Sequence, residues 1–257
     1  MSRLEDKVAI VTGASRGIGY AIAAALVEAG ASVMITGRRE DSLRAAAAEL
    51  GERAATWCGD AASAEAAQAC VDETLRRFGS IGILVNNAAL NPQKGPTIAM
   101  ALDDFDAAYA LNVRAPLVWT QLAWNRWMRE NGGAVLNISS LGGVTLYPNM
   151  GAYNSSKAAL NHLTRVLAAE LGPRVRVNAL VPGIIKTEAS SPAWRDREER
   201  IASKLPMERL GECEDVAKAA MFLVSDDASW ITGASLTIDG GALIQWGRGK
   251  PRDLSSG

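Results

Sequence analysis

The feature that most restricts what this chain can fold into is a regular alternation of short apolar runs with longer segments of helical composition. Val8-Ala9-Ile10-Val11 reads as a buried strand, and helical composition follows from about Ile18 to Ala29, ended by Gly30. The pattern then repeats. Strands are expected at Ser32 to Thr36, Ala54 to Cys58, Ile81 to Val85, Ala134 to Ile138, Val175 to Leu180 and Ser235 to Ile238. Helices are expected at Asp41 to Leu50, Glu65 to Phe78, about Leu102 to Arg129, Ala152 to Leu171 and Glu214 to Leu223. Strict alternation implies an α/β fold whose parallel sheet is covered by helices on both faces. Seven strands suit a doubly wound, Rossmann-type sheet better than an eightfold barrel, which needs another strand and helix.

No repeat, low-complexity tract or linker divides the chain, so residues 1–246 are expected to form a single domain, with a polar, flexible tail over 247–257. The longest irregular stretch runs from Gly183 to Gly211, and its part from Lys186 to Lys204 is expected to be a lid over the ligand. A net charge of -1 gives no global attraction for nucleic acid or anionic membrane. No apolar run reaches the roughly 20 residues of a membrane span, and the N-terminal residues lack the apolar core of a signal peptide, so the expected location is the cytoplasm. Cys58, Cys70 and Cys213 have neither metal-ligand spacing nor an even count, and read as free thiols. His162 is the only histidine and has no ligand partners in the sequence, so no metal is expected.

Between the first strand and the first helix lies Thr12-Gly13-Ala14-Ser15-Arg16-Gly17-Ile18-Gly19. Glycines at this junction let backbone approach a pyrophosphate, which then meets the free amides of a helix N-terminus. An NAD site usually places a carboxylate near the end of the second strand, for the ribose 2′-hydroxyl. Here Thr36-Gly37 is followed by Arg38 and Arg39, whose planar forks suit a 2′-phosphate, with Arg16 a further candidate for the same group. The expected cofactor is therefore NADP(H).

Tyr153 and Lys157 stand four apart at the start of a helix and project from one face. Ser140 ends the preceding strand, at the carboxyl edge where open α/β sheets bind ligands. A tyrosine hydroxyl can protonate the oxygen of a carbonyl being reduced, although its ordinary pKa of about 10 is high for that task. A neighbouring ammonium favours the tyrosinate, so Lys157 is expected to lower it, while Ser140 hydrogen-bonds the same oxygen.

Taken in order, the Thr12 to Gly19 loop, Asp60, Asn86-Asn87-Ala88-Ala89, Asn112, Ser140, Tyr153-x-x-x-Lys157, Pro182-Gly183 and Asp239-Gly240-Gly241 resemble the short-chain dehydrogenase/reductase family over about residues 5 to 246. The segments 86 to 92 and 182 to 187 look most like its NADPH-dependent carbonyl reductases, and 3-oxoacyl-acyl-carrier-protein reductases are similar too. The resemblance implies that Asp60 and Ala61 flank the adenine, Asn86 and Ala88 line a ribose, and Ile185 and Thr187, after Pro182 and Gly183, contact the nicotinamide amide. It implies that Asn112 helps hold a water beside Lys157, and that the chain assembles as a homodimer or homotetramer, with Trp119, Trp124 and Trp127 as candidate packing residues. Ala89 departs from the family's usual glycine. Leu141, Gly142, Tyr147 and Met150, with Asn91 and Trp194, are expected to border a small carbonyl or alcohol substrate. A 3-oxoacyl-thioester reductase is the alternative enzyme, and a non-catalytic NADP(H)-sensing protein the alternative class; a sensor has no need of a proton relay.

Overall fold

The computed structural model describes residues 4–92 and 95–244, so the tail expected over 247–257 lies outside the described residues. Seven parallel strands form one sheet: β1 Val8–Val11, β2 Ser32–Gly37, β3 Ala54–Cys58, β4 Ile83–Asn86, β5 Gly133–Ile138, β6 Val175–Pro182 and β7 Ser235–Ile238, in the order β3-β2-β1-β4-β5-β6-β7. The chain winds outward from β1 to β3, then returns to pair β4 against the other side of β1. That reversal opens a crevice beyond the carboxyl ends of β1 and β4, where such sheets take their ligands.

Alternation along each strand divides the core in two. Ala9, Val11, Val33, Ile35, Ile83, Val85 and Leu136 face α1 (Gly17–Glu28), α2 (Glu40–Leu50) and, farther along in the chain, the helix Cys213–Val224. Ile10, Met34, Leu84, Val135 and Val177 face α3 (Ala64–Phe78) and the helical segments that follow β4 and β5. Continuous apolar strands such as Ile83-Leu84-Val85 are what burial on both faces demands.

The long helix expected from Leu102 to Arg129 is a composite. It runs as α4 (Leu102–Tyr109), a π-helical segment Ala110–Arg114, α5 (Ala115–Ala123), a second π-helical segment Trp124–Met128, and the single turn α6 (Arg129–Asn131). Each π segment admits an extra residue per turn and re-aims the side chains around it. α7 (Gly151–Leu171) follows β5. The stretch between β6 and the last long helix, expected to be irregular, holds two short helices, α8 (Ser191–Trp194) and α9 (Glu198–Ala202), before α10 (Cys213–Val224). No helix among the described residues is long and apolar enough to cross a membrane.

Leu136 is fully buried in the centre of the sheet, whereas Leu236 on the edge strand β7 is 38% exposed. Leu136→Ala is expected to cost about 2–5 kcal/mol of unfolding free energy in denaturant titration, and Leu236→Ala about 1 kcal/mol or less. Equal losses at the two positions would contradict the placement of the core.

Candidate active site

Two loops are tied together at the crevice. Thr12 Oγ1, just beyond β1, accepts from the backbone N–H groups of Asn87 and Ala88, each at 3.0 Å. The Asn87 side-chain amide donates in return to the carbonyls of Thr12 (2.9 Å) and Gly13 (3.0 Å). Nothing in the sequence pattern gives Asn87 a separate task; its role appears only once β1 and β4 are seen to be neighbours. This knot leaves no room for a side chain at Gly13 or Gly19. A Cβ at Gly13, where φ is +65°, would stand 2.9 Å from Ala88 Cα, and one at Gly19 would collide with Asn87 and with Gly13 O at 2.7 Å.

The first turn of α1 contains no acidic residue, and its N-cap, Arg16, makes no side-chain capping bond. Its leading amides therefore keep their hydrogen-bonding capacity for an anion. Together with the close-packed glycines, this fits the pyrophosphate of a dinucleotide. Gly13, Ser15, Gly17, Ile18 and Gly19 would hold it through backbone groups. At the end of β2, Thr36 Oγ1 is buried without a partner, and Arg38 and Arg39 are exposed and make no ion pair among the described residues. Arg16 instead forms an ion pair with Glu188, in the loop after β6.

The other residues expected around the cofactor fall into ordered positions. Asp60 is exposed, and its carboxylate accepts from the Ala62 N–H at 3.0 Å; Ala61 O accepts from the indole of Trp119 at 2.9 Å. Asn86 is buried at the end of β4. Pro182 ends β6, and the Gly183 N–H donates to Ile238 O at 2.8 Å. Ile185 is buried and bridges to Gly211, while Thr187 Oγ1 hydrogen-bonds Ser190 Oγ at 2.9 Å. Ser190 is a hub that sequence reasoning missed: its hydroxyl also donates to Ile185 O and accepts from the Trp194 indole at 2.9 Å. Lys186 pairs with Glu198 (2.6 Å) and Glu212 (2.9 Å), so the expected lid is stapled at its base.

Beyond β5, Ser140 begins a 3₁₀ turn, Leu141–Gly143, and its Oγ accepts from the Gly142 N–H at 3.1 Å. Tyr153 is half-buried on the first turns of α7, and Lys157, one turn on, is 2% exposed. Lys157 Nζ donates to Ile138 O at 2.7 Å and lies 5.8 Å from the centre of the Tyr153 ring. Burial pushes the Tyr153 hydroxyl above its ordinary pKa, with the Ser140 hydrogen bond pulling the other way. Burial pulls Lys157 down to about 7. This differs from the expectation that Lys157 lowers Tyr153: in the folded chain, enclosure disfavours the charged form of both groups.

Asn112 sits fully buried in the first π-helical segment. Its side chain accepts from Leu90 N and donates to Leu90 O, both at 2.8 Å, and donates to Ser156 Oγ at 2.9 Å, so it fastens the loop after β4 to α7. On the substrate side, Leu141 and Gly142 are buried, Tyr147, Met150 and Trp194 are half-buried and Asn91 is exposed. Tyr147 O accepts from Asn154 Nδ2 at 2.8 Å, and burial, followed by the negative charges of Tyr153 and Asp239, pushes the Tyr147 hydroxyl up to about 12. His162 is exposed, and no three His, Cys, Asp or Glu side chains converge among the described residues.

A family model described as Enoyl-(Acyl carrier protein) reductase matches residues 13–242. The pig protein named Dehydrogenase/reductase SDR family member 4 is 39% identical over 244 residues, covering 93% of this chain and 88% of its own. The chain belongs to the short-chain dehydrogenase/reductase family. An uncharacterized oxidoreductase of Mycobacterium tuberculosis is similar at 38% identity over 247 residues, covering 94% of each chain. A crystal structure assigned to a short-chain alcohol dehydrogenase of Sinorhizobium meliloti superposes with a TM-score of 0.89 at 34% identity, covering 95% of this chain and 99% of the other. The chain is therefore an oxidoreductase of a family that uses nicotinamide cofactors on alcohol and carbonyl carbons.

The buried Lys157 has a consequence for stability. Its folded pKa, about 7, lies below that of an unfolded lysine near 10.5. Between these values the unfolded chain binds more protons, so this residue makes stability rise with pH from about 7 to 10 and adds no slope below 7. Melting temperatures of the native protein minus those of Lys157→Met are expected to increase from pH 7 to pH 9. A flat difference would mean that the ammonium is not desolvated.

Proposed function

We propose that this member of the family is an NADP(H)-dependent reductase of ketones or aldehydes, reversible toward the alcohol, with Tyr153 as general acid and base. The observation that carries this reading is the convergence of Ser140, Tyr153 and Lys157 beside a glycine cradle fitted to a dinucleotide. When bound, the cofactor supplies or accepts the hydride. Ser140 Oγ donates to the substrate oxygen as charge gathers there, and Tyr153 delivers a proton to the same oxygen. A Lys157 that is half-protonated near neutrality is matched to restoring that proton, and the Asn112 clamp holds the neighbouring loop and α7 in register. Arg38 and Arg39, exposed beyond β2 with no carboxylate at the strand's end, favour the 2′-phosphate of NADP(H) over a free 2′-hydroxyl. A soluble, cytoplasmic homodimer or homotetramer accompanies this reading, along with a substrate bordered by Leu141, Gly142, Tyr147, Met150, Asn91 and Trp194.

A second reading is reduction of a 3-oxoacyl thioester; the family model's description, Enoyl-(Acyl carrier protein) reductase, supports a carrier-bound acyl substrate but names reduction of a carbon–carbon double bond. A panel of carbonyl compounds including acetoacetyl thioester, followed by NADPH absorbance, separates the two.

Tyr153→Phe is expected to lower turnover by about a hundredfold or more while NADPH still binds, measured by steady-state kinetics and by fluorescence titration. Near-normal turnover would exclude the phenol as the acid. Arg38→Asp is expected to raise the Michaelis constant for NADPH about tenfold or more, with a smaller effect on NADH. An unchanged constant would remove the argument for phosphate recognition.

A further inference from the structure

Asn86 and Asn137 are paired residues on the adjacent strands β4 and β5, on the sheet face that α7 covers. Asn86 Nδ2 donates to Asn137 Oδ1 at 2.9 Å, and Asn137 Nδ2 donates to Thr164 Oγ1 at 2.9 Å. The Thr164 hydroxyl donates to Leu160 O, one turn earlier on α7, at 2.9 Å. Asn137 and Thr164 are completely buried, and Asn86 is 4% exposed.

The direction of this chain is forced. Thr164 spends its one proton on the Leu160 carbonyl and can only accept from Asn137. Asn137 must then turn its NH₂ toward Thr164 and its oxygen toward Asn86. Asn86 in turn presents its NH₂ to Asn137 at 2.9 Å and, at the longer distance of 3.5 Å, to Pro116 O, and its own oxygen is left outside the chain. That oxygen, Asn86 Oδ1, is buried and has no protein partner. A buried acceptor left unpaired is costly, about 1–3 kcal/mol, so such a group calls for a donor from outside the protein chain.

We infer that Asn137 and Thr164 are positioning residues: a hydroxyl on the helix that bears Tyr153 and Lys157 fixes the Asn86 amide so that its oxygen accepts from a hydroxyl of the bound cofactor. This rests on the cofactor reading above and deepens it, since Asn86 closes β4 at the crevice and lines a small void whose other walls are Thr12, Ala61 and Ala88 on one side and apolar groups of the helix that follows, Leu111, Pro116 and Trp119, on the other. The ligand group it selects is a hydroxyl donor, as on a ribose. The same chain links occupation of the cofactor groove to the seating of α7.

The test is NADPH binding, followed by fluorescence titration independently of turnover, with full kinetics alongside. Thr164→Val keeps the shape of the side chain but offers Asn137 no acceptor, so Asn137 can reverse and the Asn86 amide keeps only the long Pro116 O contact to hold its direction. The dissociation constant for NADPH is expected to rise about fivefold or more, the Michaelis constant for NADPH to rise with it, and kcat to stay within about twofold. Thr164→Ser, which restores the hydroxyl, should return both constants to the native values. Should Thr164→Val fail to fold, Asn86→Ala reads the same acceptor from the groove side and should weaken NADPH binding to a similar degree. Native NADPH affinity in a folded Thr164→Val or Asn86→Ala protein, or a Thr164→Val defect that serine leaves unrepaired, would overturn the inference. Failure of the native chain itself to bind NADPH would sink the cofactor reading instead, which separates the two.

Discussion

The site depends on one buried cation. Lys157 carries its amino group into the protein interior and meets there the last carbonyl of β5, Ile138 O. Burying such a group is costly unless it is well bonded, and the acceptor it finds among the described residues is a strand end. The contact therefore fixes α7 against β5. Because Tyr153 stands one turn before Lys157 and Ser140 lies two residues beyond Ile138, fixing that contact also fixes the phenol relative to the serine hydroxyl. The depressed basicity of Lys157 is the energetic trace of this arrangement, and it places the proton of Lys157 near the midpoint of its exchange at neutral pH.

The rest of the framework serves the same crevice by tying loops rather than by adding charge. Thr12 and Asn87 bind the ends of β1 and β4 to each other, Asn112 binds the loop after β4 to α7, and Ser190 gathers the loop after β6. All are short polar side chains that satisfy backbone groups left open where strands stop. Loops held this way can present their remaining backbone amides to a ligand without collapsing on one another.

Much of this was legible beforehand, for reasons that differ by element. The strands announced themselves because a sheet buried on both faces requires unbroken apolar runs, as in Val8 to Val11 and Ile83 to Val85. Tyr153 and Lys157 were legible because helical spacing alone puts them on one face. The π-helical segments at Ala110–Arg114 and Trp124–Met128 were not, since a helix-forming sequence carries no mark of a shifted hydrogen-bond register. The roles of Asn87, Asn137 and Ser190 were not legible: the partners of the first two lie far away in sequence and follow only from strand order, and those of Ser190 follow only from the folding of its own loop. The direction of the Tyr153 shift could not be read from spacing either: the Lys157 neighbour was visible in the sequence, but the enclosure of both groups was not.

The most direct measurement of the central claim is a crystal structure of the chain with NADP⁺ and a bound alcohol or ketone. The Tyr153 and Ser140 hydroxyls are both expected within about 3 Å of the substrate oxygen, with the reacting carbon against the nicotinamide ring and Lys157 still bonded to Ile138 O. A Tyr153 hydroxyl out of reach of both Ser140 and the nicotinamide face would contradict that claim.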